Sequence, residues 1–228
     1  MSYLSIIPAR GGSKSIPRKN LRIVAGKPLI VWSIEQALAA KLLDRVVVST
    51  DDEEIASVAR AAGAEVPFLR PAELATDTAP TEPVLLHALD WLEKNDAYRP
   101  EAVLLLQPTC PVRRTGTLDR ALKLFDDRKA DSLVGAREIH PFLWRGVESP
   151  IASYDFMNRP RRQEVADVDQ LFEETGSIYI TRTEFLRRTG NRLGGKIALF
   201  RMDGDESWDV DVEADLRVVE ALLKEMTK

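Results

Sequence analysis

The chain has 228 residues, is 44% hydrophobic and 30% charged, carries a net charge of −4 and contains a single cysteine, Cys110. This balance fits one large α/β domain over residues 1–228, or one domain with an excursion, and it argues against a general nucleic-acid binder, which would carry a basic excess. One thiol excludes an intrachain disulfide framework, no apolar run approaches the about 20 residues needed to cross a bilayer, and no signal-peptide pattern opens the chain, so a cytoplasmic protein without a membrane anchor is expected.

In chain order, a strand-like run at Leu4–Ile7 leads into a glycine-rich loop and a helical pattern from about Pro28 to Ala40. A strand at Arg45–Val48, a helix from about Glu53 to Ala62 and a short strand at Glu65–Leu69 follow. Next come a helix at about Glu82–Lys94, a strand at Ala102–Leu106, a helix at about Leu118–Asp127 and a strand at Ser132–Ala136. Residues 138–172 interrupt this rhythm with prolines, aromatics and the basic stretch Asn158-Arg159-Pro160-Arg161-Arg162-Gln163. It resumes with strands at Ser177–Ile180 and Ile197–Phe200 and closes with a helix at about Glu213–Met226. Near-continuous apolar strands separated by helices predict an α/β, three-layer fold around a mostly parallel sheet. The excursion at 138–172 carries Phe142, Trp144, Tyr154 and Phe156, which need a surface to bury them. A second copy of the chain is the simplest one, so an arm for dimerisation and a homodimer are expected.

Each apolar run turns abruptly polar at its C-terminal end: Ile7 to Pro8-Ala9-Arg10-Gly11-Gly12, Val48 to Ser49-Thr50-Asp51-Asp52, Leu106 to Gln107-Pro108-Thr109. Open parallel sheets bind ligands outside the carboxyl ends of their strands, so these clusters should converge on one crevice. The first matches neither a Walker A loop nor Gly-x-Gly-x-x-Gly. It still meets the physical needs of a phosphate cradle. Gly11 and Gly12 let backbone N–H groups approach an anion, beside Ser13, and Arg10, Lys14, Arg18 and Lys19 supply cationic donors. Basic residues also gather near 113–120 and 159–162, a distribution suited to a small anionic ligand. In Asp209-Val210-Asp211, an extended backbone would put both carboxylates on one face, about 6.5–7 Å apart. That arrangement suits Mg²⁺, which favours one or two carboxylates plus phosphate oxygens. Asp211 as the cap of the last helix is the competing reading.

Four segments together are similar to the acylneuraminate cytidylyltransferases, the CMP-sialic acid synthetases. They are Ile7-Pro8-Ala9-Arg10-Gly11-Gly12-Ser13-Lys14 with Pro17-Arg18-Lys19-Asn20; Leu69-Arg70-Pro71-Ala72-Glu73-Leu74-Ala75-Thr76-Asp77; Leu106-Gln107-Pro108-Thr109; and Asp209-Val210-Asp211. The resemblance covers nearly the whole chain in order. It implies a nucleotide-diphospho-sugar transferase-like fold in which the Arg10 loop, Lys19 and Asn20 hold CTP, with Arg70 and Asp77 on the nucleotide side. It also implies that Gln107 lies where sugar and nucleotide meet, that Arg161 or Arg162, with Gln163 beside them, reaches the sugar carboxylate across a dimer interface, and that Asp209 and Asp211 bind Mg²⁺. Related 3-deoxy-octulosonate enzymes carry an acidic residue after the glutamine of the third segment. Pro108-Thr109 here favours the sialic-acid branch. Thr175, before Gly176, stands where members acting on N-acetylneuraminate often have asparagine, a position implied to lie near the sugar.

The expected activity is therefore transfer of CMP from CTP to a nonulosonic acid, with release of pyrophosphate. An octulosonate or other sugar nucleotidyltransferase and a non-catalytic nucleotide-binding module are the alternatives. His87, His140 and Tyr179 read as structural, and Cys110 as a small packing residue with no base beside it.

Overall fold

The computed structural model describes residues 1–159, 161 and 170–226. Its centre is a six-stranded sheet in the order β10-β6-β9-β5-β1-β4. The strands are β1 (Tyr3–Pro8), β4 (Arg45–Ser49), β5 (Ala102–Leu106), β6 (Ser132–Ile139), β9 (Leu171–Arg182) and β10 (Ile197–Met202). β1 pairs in parallel with β4 and β5, and β6 in parallel with β10. β9 runs antiparallel between β5 and β6. Five strands thus point one way, as the continuous apolar runs predict, and one returns through the middle.

Alternation along the strands assigns the two faces. Ile7, Val48, Leu104, Leu106 and Ile180 pack with α1 (Leu29–Leu38), α2 (Glu53–Ala61) and α4 (Thr117–Asp127) through Ile34, Ile55, Ala59, Leu122 and Phe125. Leu4, Ile6, Val103 and Leu105 pack on the other side with α3 (Thr81–Asp96) and α5 (Thr183–Thr189) through Leu85, Leu89, Leu92 and Leu186. All five residues of β5 are buried. Burial on both faces is what distinguishes such a strand from a half-exposed one that alternates with polar residues. α6 (Glu213–Met226) closes a third cluster, placing Leu216, Val219 and Leu223 against Leu29, Trp32 and Val210. The small hairpin of β2 (Ile23–Val24) and β3 (Lys27–Pro28) turns at Ala25 and Gly26, both with positive φ.

Three expectations are corrected. Glu65–Leu69 is not a strand. Glu65 makes a single bridge to Val47, donating to Val46 O and accepting from Val48 N, and Pro67 has no N–H to continue a ladder. β9 begins at Leu171, well before the apolar run at Ser177–Ile180, because its first half is charged and exposed. α5 was not anticipated, since a two-turn helix is too short to show a hydrophobic period. In the excursion, β7 (Trp144–Arg145) pairs with β8 (Ile151–Ala152), and Tyr154 packs edge-on against Phe142 and Trp144, with centroids at 4.7 and 6.1 Å. The Arg159 guanidinium lies 3.9 Å from the centroid of Phe142.

Candidate functional site

The C-terminal ends of β1, β4 and β5 lie together, and because β9 is antiparallel its early residues lie there too. Leu106 pairs with Ile178, which carries Thr175 and Gly176 just past the end of β5. Two cavities open at this edge. The first, about 350 Å³, is lined by Arg10, Gly12, Ser13, Lys19, Asn20, Arg70, Asp77, Gln107 and Thr109, among others. The second, about 540 Å³, is lined by Arg137, Glu173, Glu174, Thr175, Gly176, Tyr179, Asp209, Asp211 and Asp215, among others. The first is rich in cations and the second in carboxylates.

The glycine-rich loop is held from behind. Gly11 donates its N–H to Asp51 Oδ1 at 3.1 Å, and a Cβ at Gly11 would meet Asp52 Oδ2 at 2.6 Å. Gly12 has nothing within 4 Å of that point and faces the cavity. Gly11 is therefore needed for packing, and Gly12 is the open one. Asn20 Nδ2 donates to Arg10 O at 3.0 Å, tying the loop to the turn that follows. The four expected cations divide. Arg10 and Lys19 line the cavity. Arg18 instead binds Asp52 and Glu54 at the start of α2. Lys14 is largely exposed and pairs with Asp77 at 2.9 Å. Asp77 also pairs with Arg10 at 2.9 Å, and the two cations hold its carboxyl below the usual range. Arg70 is buried beside Asp51, 3.3 Å away, and burial pushes its guanidinium pKa down.

Lys19 joins the cavities. Its buried ammonium donates to Val210 O at 2.5 Å and lies 3.7 Å from Asp211 Oδ1. Val210 N donates to Thr109 O at 2.9 Å, so the 209–211 segment hangs between the turn after β1 and the loop after β5. Asp209 and Asp211 line the same cavity, and Val210 points into the third core cluster, as an extended segment requires. Asp211 does not cap α6. Asp215 accepts from the N–H groups of Asp211 and Val212, both at 2.8 Å, leaving the Asp211 side chain 79% exposed. Asp209 Oδ1 is buried with no hydrogen-bond partner among the described residues. A buried, unsatisfied carboxylate oxygen is costly and is what a cation would relieve. No group of three or more His, Cys, Asp or Glu poised for a metal occurs among the described residues, and an ion held by this pair would have to take its remaining ligands from phosphate and water.

Gln107 and Gly176 meet at the border. A Cβ at Gly176, where φ is +71°, would lie 2.9 Å from Gln107 Oε1 and 3.8 Å from Asp209 Oδ2. Thr175 lines the second cavity, but its hydroxyl donates to Gly135 O at 3.0 Å. Arg161 lies in the excursion, and Arg162 and Gln163 lie outside the described residues.

Residues 4–128 match the cytidylyltransferase family. The chain belongs to that family. This cytidylyltransferase is 33% identical over 230 residues to CMP-N,N'-diacetyllegionaminic acid synthase of Legionella pneumophila, covering 98% of this chain and 97% of that one. It is 32% identical over 227 residues to pseudaminic acid cytidylyltransferase of Campylobacter jejuni, again covering 98% and 97%. A solved structure of CMP:2-keto-3-deoxy-manno-octonic acid synthetase complexed with CTP superposes with a TM-score of 0.72 at 21% identity, covering 99% of both chains, which shows the same fold.

Two features of this cytidylyltransferase lie outside what the sequence suggested. The basic cluster at 113–120 is not an anion-binding face. Arg113 is buried, Arg114 pairs with Asp203 and Asp205, and Arg120 donates to Thr117. Asp51, in the polar stretch after β4, organises the loop by holding both Gly11 N and Arg70. The reading of Cys110 as a packing residue agrees with its full burial. Burial above all, then the Asp209 charge, pushes its thiol up to about 12. Because only the thiolate is nucleophilic, iodoacetamide at pH 8 should leave the native protein unlabelled and label it stoichiometrically in denaturant, by intact-mass measurement. Fast labelling of the native protein would contradict this environment.

Proposed function

We propose that the protein transfers CMP from CTP to a nonulosonic acid. The sugar's anomeric oxygen bonds to the α-phosphorus, the bond from that phosphorus to the bridging oxygen of pyrophosphate breaks, and the hydroxyl proton is released. The observation that carries this reading is the junction itself. A cation-lined cavity and a carboxylate-lined cavity meet at Gln107 and Gly176, and Lys19 bridges them. The relatives named for legionaminic and pseudaminic acids support the acceptor class over an octulosonate. The paired aspartates beside Lys19 argue against a module that only binds nucleotide.

In this reading Arg10, Gly12, Ser13 and Asn20 receive the triphosphate, which competes with Asp77 for the Arg10 guanidinium. Arg70 and Asp77 lie on the nucleotide side, Gln107 lies between the substrates, and Thr175 shapes the acceptor cavity. Asp209 and Asp211 would hold Mg²⁺, which neutralises phosphate charge when bound. The chain's own contribution is positioning and preorganised charge. Pyrophosphate release from CTP across a panel of nonulosonic acids, with octulosonate and other triphosphates as controls, tests this. No release with any sugar acid would overturn it.

The acceptor cavity adds a constraint. Among the described residues its lining has one arginine, Arg137, which pairs with Glu173, against several carboxylates. A sugar carboxylate therefore needs a cation from elsewhere. The excursion supplies the candidates Arg161 and Arg162, with exposed Trp144, Val147, Ile151, Phe156 and Met157 on the same element. We read this as a homodimer in which one arm completes the partner's sugar site. Bidentate arginine is suited to that role. Mixing Asp211→Asn with an Arg161→Ala/Arg162→Ala double variant should restore turnover that neither parent shows. A monomer by sedimentation, or no recovery after verified subunit exchange, would rule this out. Among the described residues no helix is long and apolar enough to cross a membrane, and a CTP-using enzyme with one buried thiol suits the cytoplasm.

A further inference from the structure

Arg113 is 2% exposed and among the largest fully buried side chains. Among the described residues none of its hydrogen bonds goes to a carboxylate. Its guanidinium donates to Ser33 Oγ at 3.1 Å and Gln36 Oε1 at 3.0 Å on α1, to Gln107 O at 3.3 Å at the end of β5, and to Ser177 O at 2.8 Å on β9. Its Nε has no partner among the described residues. A buried cation hydrogen-bonded only to neutral oxygens among the described residues, with the buried Glu206 carboxylate acting on it through space and one donor orphaned, carries a desolvation cost that these contacts offset only in part. Local rule-breaking of this kind concentrates where function fixes geometry.

The contacts have a shared location. Gln107 and Ser177 flank the point where the Gln107 side chain meets Gly176, the border of the two cavities. The same loop is tied to the acceptor side twice more, by Cys110 Sγ to Thr175 O at 3.3 Å and by Thr109 O to Val210 N at 2.9 Å. Gln36 returns a hydrogen bond to Pro111 O at 2.7 Å, so α1 braces both ends of the loop. The planar fork of arginine can hold acceptors on α1, β5 and β9 at once, which a point-charge lysine cannot do.

We propose that Arg113 is a positioning residue that fixes the spacing between nucleotide and sugar acid by clamping the end of β5 and the middle of β9 to α1. This rests on the cytidylyl-transfer reading above. Arg113 touches neither cavity's expected substrate atoms and acts through Gln107 and Gly176.

The test uses the full-length protein with Arg113→Met, which keeps an unbranched apolar stem, and Arg113→Lys, which keeps the charge but not the fork. CTP affinity by calorimetry should stay close to wild type, since the Arg10 loop and Arg70 are untouched. kcat per CTP-binding site should fall on the order of 10²-fold, with a raised KM for the sugar acid, the scale expected when reacting groups are misplaced by about 1 Å. Lysine should not rescue. Amide exchange should quicken at 107–110 and 175–178 only. A purely structural role would lower the melting temperature and yield while leaving kcat and both KM values per site unchanged, and that result overturns the proposal. If neither variant folds, a Ser33→Ala/Gln36→Met double variant removes the two α1 acceptors and leaves Arg113 in place. The same split between kcat and CTP affinity is then expected, and unaltered kinetics would overturn the proposal. A wild-type protein that binds CTP but turns over no sugar acid would remove the transfer reading, whereas wild-type turnover with unaffected variants removes only the role of Arg113.

Discussion

Asp209→Asn and Asp211→Asn are each expected to leave the protein folded and to cut turnover by at least on the order of 10²-fold. Stability should survive because little of it depends on either carboxylate. Asp209 Oδ1 has no hydrogen-bond partner among the described residues, and Asp211 is mostly exposed, with its ion-pair contact to Lys19 at 3.7 Å. The hydrogen bonds at the start of α6 remain, since Asp215 accepts them from the backbone of Asp211 and Val212. What each substitution removes is negative charge at the edge of a cation-lined cavity, where a divalent ion and a triphosphate would share oxygen ligands. Pyrophosphate release at limiting Mg²⁺, with melting temperature as a control, checks this. Near-wild-type rates in both variants would sink the metal assignment.

Lys19→Ala should slow the reaction by on the order of 10²–10³-fold, the loss seen when one preorganised charge-stabilising donor is removed from a dry site. Two effects combine. The cavity loses a buried cation, and Val210 O loses the donor that holds the segment between the two aspartates. Lys19→Met keeps the apolar stem and should fare no better, because the ammonium makes both contacts. Turnover and CTP affinity measured side by side decide the matter. If neither changes in either variant, Lys19 is not part of the transfer machinery.

What the sequence made legible follows from where its signals are local. The run Ala102–Leu106 is continuous, apolar and bounded by polar residues, and it is the strand so read. The convergence of the strand-end clusters follows from parallel topology alone, and Arg10, Lys19, Arg70 and Gln107 do line one cavity. What was illegible depended on distant partners. Nothing near Arg18 shows that Asp52 and Glu54 will take it, nor near Lys14 that Asp77 will. Arg113 looked like one member of a basic surface cluster, because its acceptors are backbone oxygens and neutral side chains from three other elements. β9 declared only its apolar half, since the exposed part near the excursion is charged.

The linings of the two cavities are also segregated along the chain. The cation-lined cavity is built by residues between Pro8 and Thr109, and the carboxylate-lined cavity by residues between Arg137 and Asp215. The match to the family spans 4–128, which contains all of the first lining and none of the second. If the two cavities serve donor and acceptor as proposed, differences in acceptor preference are expected to map to the portion after about residue 130, within a frame held to the first portion by the β5–β9 pairing and by the ties of Val210 to Lys19 and Thr109. Those ties and that pairing are made by backbone atoms of the later portion, so the side chains that line its cavity can vary while the frame stays in register.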